Sequence, residues 1–158
     1  MQFQVNDSEA MQLFGVQLGQ CLAGADIVVL DGPLGAGKTT LVQGIGLGLG
    51  VLGAITSPTF VVSRVHKPGT REIGLVHVDA YRLDNATDLL DMDLDDQPSQ
   101  VLVIEWGRPF IDAISDRWME LEISRTDFGS DDDPASGQRT IEVSFHGAGW
   151  DHVSAVLG

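Results

Sequence analysis

The stretch VVLDGPLGAGKTTLVQGIG, residues 28–46, begins with a short apolar run that is rich in β-branched residues. A glycine-rich turn with a lysine and two threonines follows. Residues 32–39 within it match G-x-x-x-x-G-K-[ST], the phosphate-loop pattern. Glycines allow backbone N–H groups to turn towards a phosphate chain, and the helix that follows offers its positive N-terminal end. The stretch therefore predicts a buried strand, a phosphate-binding loop and a helix, in that order.

The side chains of this loop have separate predicted roles. Lys38 supplies a positive charge between the β- and γ-phosphates, and the Thr39 hydroxyl is placed to bind Mg²⁺. Thr40 is expected near the α-phosphate. The residues predicted to contact a nucleotide here are Gly35, Ala36, Gly37, Lys38, Thr39 and Thr40.

Strand-like and helix-like segments alternate in the first half of the chain, and strand-like segments crowd the second half. Continuous apolar runs are typical of buried strands, and apolar spacings of three and four are typical of helices. The order predicts an α/β fold, a P-loop NTPase-like mixed β-sheet flanked by helices on both faces. The predicted strands are 3–5, 26–32, 61–66, 71–82, 101–106, 117–124 and 139–146, and the predicted helices are 6–24, one from Lys38, 84–100 and 150–157.

The helix from Lys38 contains three glycines, Gly44, Gly46 and Gly48. Each glycine costs a helix interior about 1 kcal/mol relative to alanine. Tertiary packing must therefore hold this helix, although the sequence alone does not say how.

The length of 158 residues predicts one domain, residues 1–158. The composition, with 43% hydrophobic and 20% charged residues, is that of a globular protein. No apolar run approaches the roughly 18 residues that a membrane-spanning helix needs. Residues 1–15 lack the basic and apolar regions of a secretory signal. Cys21 is the only cysteine, which excludes an internal disulfide and a cysteine-based zinc cage. These features predict a cytoplasmic protein.

The formal net charge is −14, because nine basic residues face 23 acidic ones. Such a surface opposes non-specific binding to nucleic acids and to anionic membranes. Work on a nucleic acid would therefore go through a partner. The alternative is that the acidity reflects only solubility or a saline cytoplasm.

A phosphate loop needs a further carboxylate to hold Mg²⁺ or to order the attacking water. Glu105 ends the apolar run VLVIE and Asp79 ends LVHVD, so both are predicted at strand ends, where ligands gather in open α/β sheets. Trp106 is a candidate for lining the nucleotide pocket, with core packing as the alternative. His77 is consistent both with a hydrogen-bonded structural histidine and with a functional one.

Four motifs in this order, GPLGAGKTT, TSPTF, HVDAYRL and VIEW, resemble those of the bacterial tRNA threonylcarbamoyladenosine biosynthesis ATPases, the TsaE (YjeE) family. The resemblance covers residues 5–110 strongly. It implies that ATP and Mg²⁺ bind at the phosphate loop, with Thr39 and Glu105 as metal ligands. It also implies Asp79 near the γ-phosphate and the reacting water, so that Lys38, Asp79 and Glu105 form the catalytic set.

The resemblance also implies partners. Family members work with the synthase that transfers threonylcarbamoyl to the adenosine beside the anticodon, and with the non-catalytic paralogue of that synthase. The ATPase is expected to reset this complex between turnovers. Neither direct tRNA binding by the isolated chain nor membrane binding is expected.

TSPTF, residues 56–60, is implied to be switch-like. Pro58 disfavours helix at Ser57, so the segment is predicted to be extended and able to cross the phosphate pocket. Thr56 or Thr59 would then sense the γ-phosphate, and Thr59 is taken as a binding residue. An ordinary Ser-Pro turn is the alternative.

Ser8, near the start of the first predicted helix, and Arg139 are the candidates for the adenine side of the site. The chain departs from the usual family pattern at EWGRPF and in an enlarged acidic loop at 126–138. The acidic stretch 84–96 is interpreted as a solvated helix face, with a docking surface for a basic partner as the alternative.

Slow ATP hydrolysis by the isolated chain is expected, because no unambiguous arginine finger is present; Arg82 is the best internal candidate. The alternatives are a small-molecule kinase and a nucleotide-sensing adaptor that does not hydrolyse ATP. A GTPase is unsupported, because the chain has neither Asn-Lys-x-Asp nor a following Asp-x-x-Gly segment.

Overall fold

The fold is a β-sheet flanked by α-helices. The structure is a computed structural model, and it describes residues 1–56, 63–90, 99–125 and 137–158. Strands of the described residues form one sheet in the order β1-β7-β6-β2-β5-β4-β3. The strands are β1 (Gln2–Val5), β2 (Ile27–Asp31), β3 (Ser63–His66), β4 (Gly74–Asp79), β5 (Gln100–Glu105), β6 (Trp118–Arg125) and β7 (Arg139–His146). The helices are α1 (Ser8–Cys21), α2 (Lys38–Leu49), α3 (Ala86–Leu90) and α4 (Asp151–Leu157), with a 3-10 turn at Ile111–Ala113.

The centre of the sheet is parallel and its edges are antiparallel. Strands β4, β5, β2 and β6 are parallel neighbours, whereas β3 pairs antiparallel with β4 and β7 pairs antiparallel with β6 and β1. The central strands are the continuous apolar runs, as expected for strands that are covered on both faces. This arrangement confirms the predicted mixed sheet.

Helices cover both faces of this sheet. One apolar cluster joins α1, α2 and α4 to the sheet through residues such as Leu18, Ile45 and Val153. A second cluster, which includes Leu89 of α3 and Ile111, packs on the opposite face. Within the described residues no helix has the length and apolar character needed to cross a membrane.

The glycines of α2 are explained by its contact with α1. A Cβ atom added at Gly44 or Gly48 would lie closer than 3.0 Å to a backbone carbonyl oxygen of α1, and one added at Gly15 or Gly19 of α1 would lie equally close to a carbonyl oxygen of α2. The two backbones therefore touch, an approach that only glycine permits. A Cβ atom at Gly46 would instead overlap the side chain of Ile55.

Arg71 ties the hairpin of β3 and β4 to the same two helices. Its Nη1 donates to the carbonyl oxygens of Gly19 at 2.6 Å and Gly48 at 3.4 Å, and its Nη2 donates to that of Leu22 at 3.0 Å. The last carbonyls of a helix lack intrahelical partners and carry partial negative charge. One guanidinium therefore satisfies carbonyls near the ends of both α1 and α2.

The helix predicted at 84–100 is wrong at both ends. Asn85 Oδ1 accepts a hydrogen bond from Asp88 N at 3.2 Å, so the helix begins only at Ala86. Gln100 pairs with Gly74 in the β4–β5 ladder, so the chain is already in a strand where the helix was predicted to end. Residues 91–98, which contain most of the predicted acidic face, lie outside the described residues.

We predict that Gly44→Ala lowers the free energy of unfolding by about 1–3 kcal/mol, because the added methyl group would overlap the backbone of α1. Helix propensity alone would give a gain of about 1 kcal/mol, so the sign of the effect tests the contact. Urea unfolding measures it. Leu47→Ala, on the exposed side of the same helix, is the control and should change stability little; a stabilised Gly44→Ala protein would contradict the close contact.

Candidate functional site

Three parallel strands end at one edge of the sheet, each with an acidic residue. Asp31, Asp79 and Glu105 are the last residues of β2, β4 and β5. Asp79 is directly opposite Glu105 in the register of β4 and β5. Because the carboxyl ends of parallel strands form the ligand edge of open α/β sheets, the sheet places Asp79 and Glu105 where a ligand would bind.

A cavity of about 500 Å³ opens at this edge. It lies between the phosphate loop, the ends of β4 and β5, the start of α1 and the start of β7. The sequence-predicted site residues that line it are Ser8, Gly35, Ala36, Gly37, Lys38, Thr39, Thr40, Asp79, Glu105, Trp106 and Arg139. Thr59 lies outside the described residues.

The phosphate loop owes its shape to glycines in conformations that other residues rarely adopt. Gly35 and Gly37 have φ angles of 76° and 104°. A side chain at Gly32 would overlap the carbonyl oxygen of Ile123 in β6. Gly37 precedes α2 without a side-chain cap. The N–H groups in the first turn of a helix have no hydrogen-bond partner within that helix. Those of α2 are therefore available to bind a ligand.

Lys38 is 6% exposed, although it carries an ammonium group. Its Nζ donates to the carbonyl oxygens of Gly32 at 2.7 Å and Pro33 at 2.9 Å, and lies 4.2 Å from the centre of the Trp106 ring. Burial lowers the pKa of Lys38, whereas the charges of Glu105, Asp31 and Asp79 act in the opposite direction. The ammonium is thus held at the mouth of the loop with its donors aimed at oxygen atoms.

Trp106 adopts the left-handed backbone conformation, with φ of 61°. The backbone N–H of Trp106 donates to the carbonyl oxygen of Leu30 at 2.8 Å, so the β2–β5 ladder continues into this turn. The turn aims the indole at the cavity, where Tyr81 packs against it with ring centroids 5.1 Å apart. Such strain in a non-glycine residue is typical of functional sites.

The two carboxylates that face the cavity are held differently. Asp79 Oδ1 accepts a hydrogen bond from the backbone N–H of Tyr81 at 2.9 Å. Glu105, 4% exposed, contacts the completely buried His77, with Oε2 and Nε2 2.6 Å apart. Glu105 is therefore fixed by a side chain of the neighbouring strand, whereas Asp79 is fixed by the local turn.

The opposite wall of the cavity comes from the start of α1 and the start of β7. Ser8 is the first residue of α1, and Arg139 is the first residue of β7. The Nε of the buried Arg139 donates to the carbonyl oxygen of Ala36 at 3.3 Å, and its Nη1 donates to that of Gly137 at 2.7 Å. Burial, and secondarily Arg125, lowers the pKa of Arg139. Arg139 thus supports the phosphate loop as well as lining the cavity.

Three residues that line the cavity have side chains that could hold a magnesium ion. Thr39, Asp79 and Glu105 line the same cavity and offer hydroxyl and carboxylate oxygens, the donors that Mg²⁺ prefers. Among the residues that the structure describes, no cluster of three or more histidine, cysteine or acidic side chains could hold a metal by itself. This donor set is typical of an ion that is shared with substrate phosphates.

The sequence reasoning missed several residues of this region. Asp7, the N-cap of α1, and Met11 of α1 line the cavity, and Leu34 lines it from the loop. Asp31 Oδ1 accepts from the N–H of Gly32 at 2.8 Å, and Asp31 is also 3.4 Å from Arg108. The sequence does contain a signal for Asp31, because this residue ends the apolar run IVVL just as Asp79 and Glu105 end theirs.

Comparisons with known proteins agree with the four motifs. The family described as "Threonylcarbamoyl adenosine biosynthesis protein TsaE" matches residues 5–132. The "tRNA threonylcarbamoyladenosine biosynthesis protein TsaE" of Streptomyces coelicolor is 44% identical over 142 residues, 89% of this chain and 93% of that protein. Its Mycobacterium leprae namesake is 40% identical over 131 residues, 77% of this chain and 78% of that protein.

The structural comparison bears on the fold. The crystal structure of Bacillus subtilis YdiB is similar with a TM-score of 0.71 at 20% sequence identity, covering 99% of this chain and 90% of that chain. The sheet and its flanking helices are therefore similar to those of a solved protein, and the predicted P-loop NTPase-like fold is confirmed. With the family match over most of its length, the chain belongs to the TsaE family of tRNA threonylcarbamoyladenosine biosynthesis proteins.

Proposed function

We propose that this protein binds ATP with Mg²⁺ and hydrolyses it slowly, in support of tRNA threonylcarbamoyladenosine synthesis. The observation that carries this proposal is the buried ammonium of Lys38, which lies in a strand–loop–helix phosphate loop on the same cavity as Asp79 and Glu105. That combination provides donors for a phosphate chain and oxygen ligands for its metal ion.

The phosphate chain would be held by main-chain and lysine donors. The loop carbonyls of Gly32 and Pro33 already orient the Lys38 ammonium, so phosphate oxygens would meet a donor whose position is set. The first turn of α2 adds its N–H groups and the positive end of its dipole. Ser8, Trp106 and Arg139 are proposed to contact the nucleotide at the edges of the cavity.

Thr39 and Glu105 would hold Mg²⁺, which neutralises charge that develops on the phosphates. Asp79, opposite Glu105 in the register, would act near the γ-phosphate and order the attacking water. Arg82 also lines the cavity and is the internal candidate for stabilising the transferred charge. A partner that supplies a further cation would accelerate the reaction.

The coupling to tRNA is proposed to run through proteins. The relatives are named for tRNA threonylcarbamoyladenosine biosynthesis, and a chain with net charge −14 is poorly suited to holding tRNA directly. The proposed partners are the subunit that transfers threonylcarbamoyl to tRNA and its non-catalytic paralogue, with ATP turnover resetting their complex.

We predict that Lys38→Ala weakens ATP binding by about 10- to 100-fold, because a charged donor to the phosphates is lost. Isothermal titration calorimetry with ATP at millimolar Mg²⁺ measures the affinity. Lys67→Ala is the matched control, because Lys67 is the other lysine of the chain and is exposed beyond β3. Absence of ATP binding by the unaltered protein would refute the proposed function.

We predict that Glu105→Gln lowers ATP hydrolysis by about 100-fold or more, because a neutral amide is a poor ligand for Mg²⁺ and stabilises less transition-state charge. Binding of ATP without metal should change much less. Phosphate release and calorimetry give the two quantities, and Glu122→Gln, a half-exposed glutamate on β6, is the control. Full hydrolysis by the Glu105→Gln protein would point to a different catalytic acid. Full support of the synthase by a Glu105→Gln protein that no longer hydrolyses ATP would instead favour the non-hydrolysing adaptor role.

We predict that the isolated protein turns over ATP slowly and that the synthase subunit with its paralogue raises the rate by more than about 10-fold. A cation supplied in trans can contribute about 10³- to 10⁵-fold in related chemistry. Steady-state phosphate release with and without the pair measures the effect. Fast turnover by the protein alone, or no response to the pair, would contradict the partner-completed site.

A further inference from the structure

We propose that His77 is a positioning residue, which fixes the carboxylate of Glu105 in the orientation that binds the divalent cation. The inference rests on the proposed function, because it concerns the metal that would accompany ATP. It assigns a task to a histidine that lies two residues before Asp79 and does not line the cavity.

The contact between the two side chains follows from the sheet register. Asp79 of β4 is opposite Glu105 of β5, and His77 precedes Asp79 by two residues, so both β4 side chains lie on the same face of the sheet. His77 Nε2 is 2.6 Å from Glu105 Oε2. Because an ionised carboxylate can only accept, the imidazole donates through Nε2. The short distance is typical of a charge-assisted hydrogen bond.

Burial makes this hydrogen bond an effective constraint. The His77 side chain is 0% exposed and that of Glu105 is 6% exposed, so water competes little for the hydrogen bond between them. With Oε2 held, rotation of the carboxylate would break a hydrogen bond inside a low-dielectric environment, which is costly. Oε1 remains outside this hydrogen bond, and Glu105 still lines the cavity.

A purely packing role explains His77 poorly. Its Nδ1 is buried without a hydrogen-bond partner among the described residues. An unsatisfied buried polar atom costs about 1–3 kcal/mol, so an apolar side chain would suit this position better if it only filled space. The hydrogen bond to Glu105 is what an apolar residue would lose. Partners that orient metal ligands in this way commonly change metal affinity by about 10- to 100-fold when they are altered.

Two substitutions of similar polarity separate positioning from packing. In His77→Gln, the side-chain amide nitrogen occupies the same place along the side chain as Nε2 and can still donate to Glu105. In His77→Asn, the amide nitrogen corresponds to Nδ1 and falls short. His66→Asn is the matched control, because His66 is another buried histidine on the neighbouring strand β3 and is not hydrogen-bonded to Glu105.

The readout is the Mg²⁺ concentration that gives half of the metal-dependent gain in ATP affinity, measured by calorimetry, together with ATP affinity in EDTA and urea stability without metal. We expect His77→Asn to raise the Mg²⁺ midpoint by about 10-fold or more, and His77→Gln to remain within about threefold of the unaltered protein. His66→Asn should leave the midpoint unchanged. ATP affinity in EDTA should be similar in all four proteins.

Each other outcome counts against the proposal. Equal Mg²⁺ midpoints in His77→Asn and the unaltered protein, equal rises in both His77 variants, or an equal loss of ATP affinity in EDTA would assign His77 a structural role only. If His77→Asn fails to fold, His77→Met replaces it, because methionine fills the buried space without a donor and should show the same raised midpoint. If the unaltered protein does not bind ATP with Mg²⁺, the proposed function itself fails, which is a distinguishable result.

Discussion

The direct contact between the backbones of α1 and α2 is the constraint on which the site depends. Glycines at positions 15 and 19 of α1 meet glycines at 44 and 48 of α2, so the helices approach more closely than side chains would allow. The P-loop helix is therefore locked against α1, and the start of α1 is brought to the same cavity as the start of α2. Arg71 strengthens this arrangement from the far end by bonding carbonyls of both helices. The glycines lower the intrinsic stability of both helices, but they allow the close contact that holds the site in place.

The sheet contributes the other half of the site through its parallel centre. Because β2, β4 and β5 run in the same direction, three chain segments far apart in sequence end at one edge, each with an acidic residue. The charges of these acids act against the effect of burial on the buried ammonium of Lys38, but burial is the larger effect and the pKa of Lys38 is lowered. An excess of negative charge at this edge suits a site that gains a divalent cation together with phosphates.

Membership of the TsaE family gives this geometry its biological setting. The chain is strongly acidic overall, yet the donors for a phosphate chain are concentrated in one loop and the first turn of one helix. A polyanion as long as tRNA would meet repulsion over most of the surface, whereas a triphosphate needs only this loop. This distribution of charge supports the proposal above of a nucleotide-driven component in a larger assembly.

The sequence by itself determined the phosphate loop, the strand ends that carry Asp79 and Glu105, and the mixed α/β sheet, because each is written in a contiguous motif or a local periodicity. It did not determine the length of α3, where side-chain capping and strand pairing override the pattern. The glycine contact was visible only as an unexplained cost, although the spacing of four between glycines in both helices was its signal. The pairs His77–Glu105 and Arg139–Ala36 span 28 and 103 residues. Only the tertiary structure decided them, because such contacts depend on strand register and on how two layers pack, which no local pattern encodes.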